Sequence, residues 1–146
     1  MVTGGPSGLA AGWDPGEAPE EQEREPAYLS LEDFVTDYFA PLMRRRLGGH
    51  LTWCPQWWLH EEAITRLTVI WSAWEFYRYE GATGLSDWLL HHADPHLAVL
   101  LSKDNGPFMT CKPDRHSAME PLPCEPPPPG LLDLPAFREP EVPPGG

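Results

Sequence analysis

Two residue types in this sequence could bind a transition metal. The chain has three cysteines and six histidines, and every histidine lies between residues 28 and 116. A zinc site in a protein needs four ligands, commonly thiolates and imidazoles, in tetrahedral geometry. Cys54 and Cys111 with two of the histidines at positions 60, 91, 92, 96 and 116 would supply such a set, and we select His92 and His96. The two histidines are four residues apart, which places both on one face of a continuous helix.

Other features favour a simpler interpretation of these residues. The cysteines lack the short spacing of a zinc finger, and Asp94-Pro95 between the two histidines predicts a helix break. Buried cysteines often act as small hydrophobic residues, and the histidines would then be caps or surface residues. We therefore expect no cofactor and keep zinc as the alternative. A cysteine nucleophile with a histidine base is a further alternative, but no local motif supports it, and we expect no enzymatic activity.

Aromatic and basic side chains form a second candidate site. Five of the seven tryptophans lie between residues 53 and 74 and would form much of the core. Three of them precede the predicted long helix and are the ones most expected to be exposed. An arginine triplet follows the first predicted helix, either as an anion clamp or as a complement to the helix dipole. The candidate binding residues are Trp53, Trp57, Trp58, Arg44, Arg45 and Arg46.

Hydrophobic periodicity predicts the first helix and the long central one. Ser30 is the expected N-cap of the first helix, which Pro41 should end or kink near Ala40. The central helix begins at Glu61-Glu62 and pairs Glu62 with Arg66 on its polar edge. Its predicted apolar face is Ile64, Leu67, Trp71 and Trp74, and Ile70 and Tyr77 extend this face.

Two further helices are predicted beyond the central one. Thr83 or Ser86 would cap the third helix, and Asp94-Pro95 would start a short fourth helix. The sequence thus predicts an all-α fold, a single small domain of about four helices around a Trp-rich core. This domain spans residues 28–116, between a disordered acidic leader (1–27) and a disordered, Pro-rich acidic tail (117–146). An apolar island at residues 131–137 in the tail could be a linear motif.

Charge and composition restrict the partners. The net charge is −12, which argues against broad contact with a nucleic acid backbone. The longest aliphatic run has five residues, far fewer than the ~20 needed to span a bilayer, so no membrane contact is expected. An odd number of cysteines without a secretory signal favours a reducing, cytoplasmic location.

Several motifs in the middle region resemble an actinobacterial domain-of-unknown-function family, number 4913. They are W-C-P-Q-W-W-L-H-E-E-A (53–63), R-L-T-V-I-W-S-A-W-E (66–75), G-L-S-D-W (84–88), H-H-A-D-P-H-L-A-V-L-L (91–101) and G-P-F-M-T-C (106–111). The resemblance covers about residues 30–111, without the Pro-rich tail, and implies no activity. Its members resemble small actinomycete proteins, often encoded near phage or plasmid genes. Cys54, His96 and Cys111 match the family pattern, which adds some support for zinc.

These observations lead to two expectations for function. The first is a non-enzymatic protein-interaction module that contacts an unknown protein partner through its tryptophans and arginines. The alternative is a zinc-stabilised or nucleic-acid-associated accessory protein of a phage, plasmid or other mobile element.

Overall fold

The computed structural model describes residues 24–133. Its helices form three continuous stretches, so the prediction of about four helices is wrong in number. Helix α1 covers residues 31–42, helix α2 is Glu61–Tyr77, and helix α3 covers residues 84–100. Short 3₁₀ turns, Trp57–Leu59 and Gly81–Thr83, precede α2 and α3. Within the described part of the chain there is no strand, only isolated bridges, which confirms the all-α prediction.

Helices α1 and α3 each pass through a proline without ending. In α1, the π-helical segment Val35–Phe39 lies between α-helical Leu31–Phe34 and Ala40–Leu42. The widened turn lets the amide of Ala40 donate to the carbonyl of Val35, five residues back. Pro41 follows directly, so the wide turn relieves the clash between its ring and the preceding carbonyls.

Helix α3 also contains a widened turn before a proline. Its π-helical segment Leu89–Ala93 connects Gly84–Trp88 to Asp94–Leu100, and the amide of Asp94 donates to the carbonyl of Leu89. The break predicted at Asp94-Pro95 is therefore wrong: the proline sits after a widened turn inside one helix. The predicted cap at Ser30 is confirmed, because the Ser30 hydroxyl accepts a hydrogen bond from the amide of Asp33 at 3.1 Å.

The core lies where α2 packs against both other helices. The buried face of α2 includes Leu67, Ile70 and Trp74 of the predicted face, but Ile64 is 37% exposed and Ala63 is fully buried. The predicted Trp-rich core is confirmed by Trp74 and Trp88, both buried. The indole nitrogen of Trp88 donates to the carbonyl of Ile70 at 2.9 Å, which ties α3 to α2. The core side chains of the three helices are Phe34, Val35, Phe39, Ala63, Leu67, Ile70, Trp74, Trp88, Ala93, Leu97 and Leu100.

The segments outside the helices differ in how closely they pack against the helices. The amides of Ala27 and Tyr28 donate to the carboxylate of Glu75, which fixes the chain before α1 against α2. Residues 118–133 are exposed, and their only regular feature is a turn at residues 129–132. Of the apolar island at residues 131–137, Leu131 and Leu132 are exposed and residues 134–137 lie outside the described range. Disorder was predicted for residues 1–27 and 117–146, of which residues 1–23 and 134–146 lie outside the described range. No helix in residues 24–133 has the length and apolar character to cross a bilayer.

Candidate metal centre

The segment between α1 and α2 supplies one cysteine and one histidine. Cys54 precedes Pro55, and the 3₁₀ turn Trp57–Leu59 then leads the chain to the start of α2. The amide of His60 donates to the carbonyl of Trp57 at 3.0 Å, and His60 is the N-cap residue of α2. This turn bends the chain back over five intervening residues, so that both side chains face the same interior position.

The segment after α3 supplies the second pair. The amide of Cys111 donates to the carbonyl of Phe108, and Lys112 and Arg115 exchange two backbone hydrogen bonds in a tight turn. The turn brings His116 back to Cys111. Next along the chain, the backbone amide of Ser117 lies 3.3 Å from the sulfur of Cys111. An N–H group at that distance stabilises a thiolate, which is the form of cysteine that binds metals.

Thr52 joins these two segments. Its amide donates to the carbonyl of Leu101 at 2.9 Å, and its hydroxyl donates to the carbonyl of Cys111 at 3.1 Å. Thr52 is 4% exposed, so both bonds are protected from water. The position of Cys54, two residues later, is thereby fixed relative to Cys111.

The metal-centre group, defined as Cys54, His60, Cys111 and His116, brings four donor atoms within 4.8 Å of one another. Nε2 of His60 is 3.1 Å from Nδ1 of His116. The sulfur of Cys54 is 3.4 Å from Nδ1 of His116. The sulfur of Cys111 is 3.4 Å from Nε2 of His60 and 3.7 Å from Nδ1 of His116.

These separations suit tetrahedral zinc. With Zn–S near ~2.3 Å and Zn–N near ~2.05 Å, tetrahedral angles place the donors about 3.3–3.8 Å apart. The four distances above lie within about 0.3 Å of this range, and the remaining two, from Cys54 to His60 and to Cys111, do not exceed 4.8 Å. Among residues 24–133 this is the single group of three or more His, Cys, Asp or Glu side chains with such proximity.

Burial sets the protonation of the group. It raises the pKa of the Cys54 thiol, and the neighbouring Cys111 adds to this, while a backbone hydrogen bond at Gln56 opposes it. Burial also lowers the pKa of His60, with a further contribution from the charge of His116. His60 is therefore held neutral, as a metal ligand must be. A backbone hydrogen bond at Pro107 opposes this decrease in the pKa of His60.

The structure brings together half of the four metal ligands considered from the sequence. Cys54 and Cys111 belong to the group, but His92 and His96 do not. Nε2 of His92 lies 3.4 Å from the hydroxyl of Tyr77. Nδ1 of His96 lies 2.9 Å from a guanidinium nitrogen of Arg66, which also pairs with Glu62 as predicted.

Sequence reasoning did not select His60 and His116 as ligands. A signal for them was present, because two of the three cysteines are followed by a histidine after a short interval, Cys54 by His60 and Cys111 by His116. Two Cys–His pairs of similar spacing, each able to close through one tight turn, are a better indication than the proximity of two histidines on one helix.

The six candidate binding residues separate into two regions. Arg44, Arg45 and Trp53 line a groove between the end of α1 and the end of α3. Trp57 and Trp58 line a different cavity beside α1. Arg46 is exposed next to the first of these regions. Trp58 is 53% exposed, whereas Trp53 and Trp57 are partly buried against the core.

A family model described as a domain of unknown function, DUF4913, matches residues 28–128. The match covers more than half of the 146 residues and includes the whole metal-centre group. It also extends past residue 111, where the sequence resemblance was expected to end, into the Pro-rich stretch. No curated protein and no solved structure matches the chain significantly.

Proposed function

The chain belongs to the DUF4913 family, and we propose that it is a small, non-enzymatic binding module whose fold is stabilised by one structural zinc ion. The observation that carries this proposal is the convergence of Cys54, His60, Cys111 and His116 within 4.8 Å. The zinc would cross-link the segment before α2 to the segment after α3.

The chemistry of the donors favours zinc over other metals. Two sulfurs and two imidazole nitrogens in tetrahedral arrangement are typical of structural zinc, whereas magnesium and calcium prefer oxygen ligands. Cys54 is 0% and Cys111 is 5% exposed. A closed site of four protein ligands leaves no position for a substrate, which fits a structural role better than a catalytic one.

The same residues could in principle form a cysteine nucleophile with a histidine base, since sulfur–nitrogen distances of 3.4 Å are present. A reactive cysteine needs a lowered pKa and access to solvent. Burial instead raises the pKa of Cys54 and encloses its sulfur. This favours a metal ligand over a nucleophile.

The remaining parts of the proposal concern partner and location. The net charge of −12 disfavours a nucleic acid partner, so we place a protein partner first. The three cysteines are free, and two of them must stay reduced to bind metal. A reducing compartment such as the cytoplasm meets that requirement.

Metal content of the full chain tests the proposal. Protein purified under reducing conditions should contain one zinc per chain by elemental analysis. Titration of the metal-free protein with cadmium should give an ultraviolet thiolate-to-metal charge-transfer band that saturates at one equivalent. Chelation of the zinc should lower the thermal midpoint, because metal binding is linked to folding.

Two matched serine substitutions make the test specific. Cys111→Ser should abolish stoichiometric binding, whereas Cys124→Ser should leave it unchanged, because Cys124 is exposed and outside the group. If Cys111→Ser does not fold, the cadmium titration of the unmodified chain still decides. The absence of a charge-transfer band at stoichiometric cadmium would refute the zinc site.

A further inference from the structure

The arginine-rimmed groove lies between the C-terminal ends of α1 and α3. Its floor is formed by Phe39, Leu97 and Leu101, which are buried. Trp53 and Leu47 are partly exposed and form its walls. The groove therefore offers apolar side chains to a partner at the protein surface, close to the metal centre.

The size of the groove indicates what kind of group it can hold. Its volume is about 270 Å³, below the ~300–1,000 Å³ of pockets that enclose cofactors and drug-sized ligands. One or two bulky apolar side chains of a bound peptide fit such a space better than a whole small molecule. This is how peptide-binding grooves anchor a short segment of a partner.

The charge around the groove is positive in an otherwise acidic protein. Arg44 and Arg45 line its rim and Arg46 follows them, all three exposed. No carboxylate in residues 24–133 pairs with any of the three. The Nε of Arg44 donates to the carbonyl of Pro41, and Arg45 donates to the carbonyl of Arg44. These bonds hold the side chains near the rim without neutralising their charge.

The sequence around the rim reinforces this charge. No acidic residue occurs between Asp37 and Glu61, so the whole segment that forms this side of the groove carries only positive charge. Guanidinium groups bind carboxylates with directional, often bidentate hydrogen bonds. Positive charge beside an apolar cleft complements a ligand with carboxylates next to an apolar anchor.

We propose that this groove binds an acidic peptide segment of a partner protein, with a bulky apolar residue in the cleft and flanking Asp or Glu side chains on the arginines. The proposal deepens the binding role proposed above and rests on it. Peptide recognition in this form needs no catalysis and no change in the metal centre.

Peptide display with the zinc-loaded full chain as bait provides the probe. Selected peptides should combine a Leu, Phe, Trp or Met with at least two nearby Asp or Glu residues. A synthetic consensus peptide should then bind in fluorescence anisotropy, and its affinity should fall as salt is raised. Selection of peptides without an acidic and apolar pattern would overturn the proposal.

Charge reversal on the rim tests the contact itself. The Arg44→Glu/Arg45→Glu variant should bind the consensus peptide at least tenfold more weakly, and should bind a peptide in which lysines replace the acids. Lys103→Glu, a charge reversal at an exposed turn outside the groove, should leave the affinity unchanged. An equal loss in Lys103→Glu, or displacement of the peptide by a DNA oligonucleotide of similar charge, would contradict a peptide-specific groove.

Zinc measured on the same samples separates the two proposals. The double arginine variant should retain one zinc per chain while losing the peptide. A chain that binds the peptide but never binds zinc would refute the metal centre and leave the groove in place.

Discussion

Phe108 connects the metal centre to the groove, and replacing it with leucine should weaken both. Phe108 is 0% exposed. Its ring meets that of His60 edge to face at 4.9 Å and that of Trp53 at 5.0 Å. Each such contact contributes about 0.5–1.5 kcal/mol beyond area burial. Leucine retains apolar bulk but loses both contacts, so Phe108→Leu should lower the free energy of unfolding by about 1–3 kcal/mol.

The effect on zinc follows from the His60 contact alone. The packing of Phe108 orients His60, and the substitution should remove about 0.5–1.5 kcal/mol from it. The dissociation constant for zinc should therefore rise about twofold to tenfold. Peptide affinity should fall by a similar factor, because Trp53 forms a wall of the groove. Competition with a chromogenic zinc chelator measures the first effect, and fluorescence anisotropy of the consensus peptide measures the second.

Phe34→Leu is the matched control. Phe34 is also 0% exposed and also contacts several aromatic rings, including those of Tyr28 and Trp74, but none of its ring contacts is with a metal ligand. Because Phe34 contacts five rings, its thermal midpoint should fall at least as much, by ~4–8 °C for each kcal/mol lost, with unchanged zinc affinity. If Phe34→Leu weakens zinc binding as much as Phe108→Leu, the reasoning is refuted and zinc affinity follows global stability.

Three further substitutions test the surrounding structure. Gly106→Ala should destabilise by more than about 2 kcal/mol in chemical unfolding, because its Cβ would overlap the carbonyl oxygen of Val99; a stable variant would contradict the close packing of this turn. Trp88→Phe should lower the free energy of unfolding by about 1–2 kcal/mol, because it removes the hydrogen bond to α2. An unchanged thermal midpoint would show that this bond does not stabilise the fold. His96→Gln tests the pH dependence: burial, then Arg66 and the neighbouring His92, lower the pKa of His96, so only the unfolded state takes up its proton as pH falls through ~6.5. The thermal midpoint of His96→Gln should therefore decrease less than that of the unmodified chain between about pH 7.5 and pH 5.5, and parallel curves would refute this.

Local sequence rules predicted the parts of the fold that depend on neighbouring residues. The N-cap at Ser30 and the Glu62–Arg66 pair need only residues three or four positions apart, and both are present. The helix break at Asp94-Pro95 was wrong because a proline rule does not anticipate a widened turn upstream of it. Packing between helices decided that Ala63, rather than Ile64, faces the core.

Only half of the metal-centre group was predictable, for a similar reason. Periodicity placed His92 and His96 on a helix, but a helix face does not reveal what lies opposite it. The pairing of Cys54 with His116 joins residues 62 positions apart and depends on two tight turns folding back to the same place. Each turn is local, yet their convergence is set by Thr52, whose bonds to Leu101 and Cys111 link the two segments.

The metal and the groove depend on the same irregular segments. Residues 43–60 contain one short 3₁₀ turn and isolated bridges but no longer helix or strand, and a few backbone bonds, such as that from Lys103 to His50, hold them to the chain after α3. Ordering such segments costs conformational entropy that no ladder of hydrogen bonds offsets. Bonds from zinc to Cys54 and His60 on one segment and to Cys111 and His116 on the other would offset that cost. Because Trp53 precedes Cys54 directly and packs on Phe108, zinc bound to Cys54 would help to fix the wall of the groove, and the zinc-loaded chain is expected to bind the peptide more tightly than the metal-free chain.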